Sequence, residues 1–78
     1  MTYSTVIMAL LISGFGITSE QPGRYTIFGR TNIDGTTTKI SVSAVNSVVS
    51  DIAITRIDGS MHFTTHVDNW LELNDRIS

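Results

Sequence analysis

The chain has 78 residues, of which 15% are charged, with a formal net charge of −2 and no cysteine. That balance argues against a broad basic surface for DNA and against an acidic mimic of nucleic acid. It excludes disulfides and thiolate metal sites. One domain spanning 1–78 is expected, in a reducing, cytoplasmic setting. A core this small leaves self-association, as a homodimer or larger assembly, as a natural way to hide apolar area.

The chain opens on an apolar run, Val6-Ile7-Met8-Ala9-Leu10-Leu11-Ile12. It falls short of the roughly 20 residues that cross a bilayer. It also lacks the basic residues that precede the apolar stretch of a signal peptide. No membrane association is therefore expected. The run, broken by Gly14 and Gly16, reads as a long, bent and buried first strand from Tyr3 to Thr18, with the glycines at a bulge or bend. Ser19 to Gly23 supplies a turn, with Pro22 and Gly23 at the two central positions of a type II corner.

Arg24–Thr31 and Thr36–Val42 are read as a hairpin closed by Asp34-Gly35, a dipeptide that tolerates the positive φ of tight reversals. A two-residue loop pairs Thr31 with Thr38, Gly29 with Ile40 and Ile27 with Val42. Alternation then places Tyr25, Ile27, Ile40 and Val42 on one face, and Thr26, Phe28, Arg30, Lys39 and Ser41 on the other. Between Ser43 and Asp51 the apolar period lengthens. Val45, Val48, Val49 and Ile52 match the stripe of a short amphipathic helix with Ser43 as its N-cap. Ile52–Ile57 and Ser60–Thr65 form a second hairpin at Asp58-Gly59, pairing Ile54 with Phe63 and Arg56 with Met61. Ile52, Ile54, Met61 and Phe63 share its apolar face. Thr65-His66-Val67-Asp68 has the form of a capping box, followed by a helix with Trp70 as anchor to the core or to an interface.

The expected fold is mainly β (α+β), a small antiparallel five-stranded sheet or barrel in the order β-β-β-α-β-β-α. Small barrels of the oligonucleotide-binding type have a similar element order, but no residue motif ties this chain to a family.

No chemistry-bearing constellation emerges. His62 and His66, with Asp68 beyond them, lie about 13 Å apart on an extended strand rising about 3.3 Å per residue, too far for one metal ion. No serine sits in a nucleophile elbow. Asp34 and Asp58 are accounted for by turns, and Asp68 and Glu72 by a helix start. The expectation is no catalytic residue, no metal, no cofactor and no enzyme.

The most suggestive feature is Arg30 opposite Lys39, with Phe28 and Arg24 along the same face. Like charges across a strand pair are mildly destabilising, which points to a recognition patch. The leading reading is a non-enzymatic protein-binding regulator or inhibitor, of the kind that phages and mobile elements encode as short chains. It would act by sterically occupying the surface of another protein. The second reading is a small-barrel binder of single-stranded nucleic acid, with Phe28 stacking a base and Arg24, Arg30 and Lys39 holding phosphate. The third is a self-assembling structural or accessory component with the apolar N-terminal strand as its seam.

Overall fold

Four chain reversals, each containing a residue with positive φ, fold the middle of this protein into an antiparallel meander. The computed structural model describes residues 1–77. In chain order the elements are α1 (Tyr3–Ile12), β1 (Gly16–Gln21), β2 (Tyr25–Thr31), β3 (Thr37–Val45), β4 (Val48–Asp58), β5 (Met61–Val67) and α2 (Trp70–Ile77). The sheet runs β1-β2-β3-β4-β5 and stays open, with β1 and β5 as its edges. It is mainly β and five-stranded, as the residue pattern implies, but it is not a barrel. A helix opens the chain, and none divides the strands.

Both helices lie on one face of the sheet. Val6 and Leu10 of α1 and Leu73 and Ile77 of α2 pack in one core with Phe15, Phe28, Ile40, Val42, Ile52, Ile54 and Val67. The other face is bare and built mainly of small, hydroxylated and β-branched residues. Each buried side-chain polar atom among the described residues has a hydrogen-bond partner. Thr26, for instance, shares one with the Tyr3 hydroxyl.

The first apolar run is a helix and not a bent strand. A continuous apolar stretch carries no period that separates the two forms, and here Met8, Ala9, Leu10 and Leu11 are strong helix formers. Gly14 is the residue that ends it. At φ +93° it occupies the left-handed position just past the cap. The Phe15 amide donates to the Leu10 carbonyl and the Gly14 amide to the Leu11 carbonyl, both at 3.1 Å. These are the two bonds of a Schellman motif, and the accompanying apolar contact joins Phe15 to Leu10 within the core. The N-terminus is tied down as well: the Tyr3 amide donates to Ser47 and the Val49 amide to Met1.

The segment expected as a middle helix is instead the third hairpin. Val45 pairs with Val48 around Asn46 and Ser47, whose φ values of 52° and 65° fit a type I′ turn. The valines that weaken a helix favour this strand pair, and a bulge near Ser43/Ala44 restores the apolar side to the core.

Pro22 and Gly23 form the expected type II corner, with Gly23 at φ +80° and the Arg24 amide bonded to the Gln21 carbonyl at 2.9 Å. The Asp34-Gly35 hairpin exists, but its loop is one residue longer than expected. The Gly35 amide bonds to the Asn32 carbonyl, the Asn32 amide bonds to the Thr36 carbonyl, and Gly35 takes φ +86°. This three-residue loop pairs Phe28 with Ile40 and Arg30 with Thr38. A slip of one residue exchanges the two faces of β2. Phe28 therefore turns inward and Ile27 outward. At Asp58-Gly59 the loop residues are Gly59 and Ser60, so Ile54 pairs with Thr65 and Arg56 with Phe63. That two-residue shift preserves the faces, and Ile52, Ile54, Met61 and Phe63 share a side as expected.

The second helix starts later than the proposed box. Thr65 and Val67 remain in β5, and the Asn69 side chain caps α2 by accepting from the Glu72 amide at 2.9 Å. Glu72 in turn accepts from the Asp68 amide.

Candidate functional site

The four residues expected to form one patch are dispersed. Phe28 is 0% exposed at the centre of the core. Lys39 pairs with Gly29 on the bare face, whereas Arg30 points to the helix side. Arg24 lies in the β1–β2 reversal, where its backbone carbonyl accepts from the Ala44 amide at 2.8 Å. Nothing sets Arg30 against Lys39, so the like-charge conflict does not arise. Arg30 is instead a structural bracket. It stacks over the Phe15 ring at 4.3 Å, and it donates to the Ser13 carbonyl at 3.5 Å and the Ile77 carbonyl at 3.1 Å. Those carbonyls belong to the C-terminal ends of α1 and α2, where a cation is favourable. Trp70 stands at the first turn of α2 and is 39% exposed, while Leu73 and Ile77 anchor that helix.

Two surfaces remain that sequence reasoning did not assemble. The first is the outer side of α1. Its buried side chains are Val6 and Leu10, yet Met8, Leu11 and Ile12 are 58%, 42% and 81% exposed. No Asp, Glu, Lys or Arg occurs before Glu20. A helix that is apolar all round is ordinarily covered on every side. Here one side is covered by the sheet and the other is open. The signal in the sequence is the absence of charge across ten residues, which points to an exposed apolar face only when the segment is a helix.

The second surface is a cleft of about 310 Å³ where the helix layer stops short of the β4–β5 hairpin, lined by Thr38, Ile54, Arg56, Phe63, Thr65 and Arg76. Register explains its contents. Arg30, Thr38, Arg56 and Phe63 form one cross-strand row on the inner face. α2 brings Arg76 over the end of that row. Arg56 pairs with Asp34 at 3.3 Å and Arg76 with Glu72 at 3.7 Å, all four side chains being substantially exposed. Asn32 ties the row together, accepting from Arg30 and donating to Thr36 and Thr38. Asp34 accepts from both the hydroxyl and the amide of Thr36, which holds its carboxyl below the usual 3.8; the nearby Arg56 charge acts in the same direction.

The histidines lie on the bare face, and His66 Nδ1 is 3.0 Å from an Asp51 carboxylate oxygen. Among the described residues no group of three or more His, Asp or Glu could hold a metal ion. No helix there is long and apolar enough to cross a membrane. Compared with known proteins, the chain matches no family model, and no curated protein or solved structure matches it.

Proposed function

We propose that this protein is a non-enzymatic protein-binding module whose working surface is the outer side of α1. The observation that supports this reading is the open stripe of Met8, Leu11 and Ile12 on a charge-free helix held rigidly against a sheet. Spacings of three and four residues are those with which a helix engages an apolar groove on another protein. Burying the exposed parts of these side chains contributes about 3–5 kcal/mol. Association itself costs about 4–15 kcal/mol. The partner must therefore surround the helix with further apolar contacts, which a groove provides and a flat surface does not. The action is steric: an occupied groove is closed to its other ligands.

The test is affinity capture from an extract of the source cells with wild-type protein and the Met8→Glu/Ile12→Glu variant. Both positions face solvent, so the variant keeps its fold by circular dichroism. A specific protein retained by the wild type and lost by the variant is the expected result. Identical capture by the two proteins would refute the assignment. Sedimentation of both proteins separates the kinds of partner, because wild-type self-association abolished by the variant would make the partner a second copy.

A further inference from the structure

We infer that the cleft between β5 and the C-terminal turn of α2 is a binding site for a small molecule that carries one oxyanion and one flat aromatic base. This site is separate from the α1 surface and does not depend on it.

The cleft has two chemically distinct parts. Arg56 from β4 and Arg76 from α2 both line it, and each guanidinium is able to meet phosphate or carboxylate with paired hydrogen bonds. Their present partners are weakly held. The Arg56–Asp34 pair is more than half exposed on both sides, and the Arg76–Glu72 contact is long at 3.7 Å. Exposed pairs of this kind contribute little, so an incoming oxyanion exchanges for them at small cost. Thr38 and Thr65 line it as well. Thr38 accepts from Asn32 at 2.8 Å and retains its own proton to donate.

The other part is apolar. Phe63 is half exposed on an inner-face position that alternation reserves for the core, and buried Ile54 lies beside it on the neighbouring strand. An aromatic face in that position offers a stacking surface for a planar ring. The volume sets the size. About 310 Å³ lies at the lower end of ligand cavities and the cleft is half open to solvent, so it suits a molecule no larger than a mononucleotide. Asp34 and Glu72 offset the charges of Arg56 and Arg76, so selectivity comes from directed hydrogen bonds and stacking more than from net field.

The experiment is a titration of the full chain with 5′-AMP, adenosine and inorganic phosphate, followed by the amide resonances of Arg56, Phe63, Thr65 and Arg76. AMP is expected to shift these amides and to bind at least about tenfold tighter than adenosine or phosphate alone, a step equivalent to one good charge-assisted hydrogen bond or stacked ring. Arg56→Gln and Arg76→Gln should each weaken AMP by about tenfold. Phe63→Ala should reduce AMP to the level of inorganic phosphate. These positions are exposed, and unchanged thermal midpoints verify that the variants fold. An AMP response equal to that of adenosine removes the role of the arginines, and one equal to that of phosphate removes the role of Phe63. Either result overturns the proposal, as does the absence of any shift. Retention of an oligothymidine that is unmoved by AMP would also overturn it, by giving this face to single-stranded nucleic acid.

Discussion

The guanidinium of Arg30 meets the C-terminal carbonyls of two helices while lying over an aromatic ring, and that geometry changes what its substitution should do. Hydrogen bonds from a charged donor contribute about 1.5–3 kcal/mol, with a smaller addition from the stacked ring. Arg30→Ala is therefore expected to lower unfolding stability by about 2–3 kcal/mol, whereas Lys39→Ala on the bare face should change it by less than about 0.5 kcal/mol. Urea unfolding of the two variants measures the contrast, and equal losses would remove the bracketing role. Asp34 makes a second residue-scale prediction, this time in pH. Its carboxyl is lowered in the folded state by the Thr36 bonds, so its contribution is complete above the unfolded value and is lost as pH falls through the folded one. The stability difference between wild type and Asp34→Asn should stay constant above about pH 5 and shrink below the ordinary carboxylate range. A difference that holds unchanged to the acid limit would show that the charged form has no special partner.

At the scale of elements, legibility followed turn chemistry. Pro22-Gly23, Asp34-Gly35 and Asp58-Gly59 marked real reversals because glycine makes positive φ cheap, and β2, β3, β4 and β5 followed from them. Asn46-Ser47 carried a weaker signal, since both residues take positive φ without glycine. The valine spacing around it imitated a helical stripe. Loop length was the other gap. An Asp-Gly pair suits either a two-residue loop or the end of a three-residue one, and the difference exchanged the faces of β2. That single step moved Phe28 from a proposed contact point to the middle of the core and separated Arg30 from Lys39. The Asp58-Gly59 hairpin shifted by an even number, so its apolar face survived. The site suffered more than the fold, because a binding surface depends on which way each side chain points. For α1 the missed cue was Gly14 followed by Phe15, a helix stop with its apolar contact, read as a strand bulge.

On the scale of the whole molecule, the sheet is covered on one side only, and its two edges differ in what supports them. β3 lies at the centre, bonded to β2 and β4, with Ile40 and Val42 fully buried. β1 bonds to β2 alone, is interrupted by a bulge between Ile17 and Ser19, and exposes all six of its residues. A barrel would close β1 against β5 and give these strands equal protection; an open meander does not. Local opening requires less free energy where few buried contacts are lost, so β1 can detach while the β2–β3–β4 centre and both helices persist. Hydrogen exchange under native conditions should therefore show the hydrogen-bonded amides of β1 exchanging at least about 100-fold faster than those of β3 around Ile40 and Val42. Arg30→Ala should narrow that gap from the β3 side, because loosening both helix ends exposes the core that protects the central strands. Uniform protection across the five strands would mean that β1 is as firmly held as the centre and that the sheet opens only as a unit.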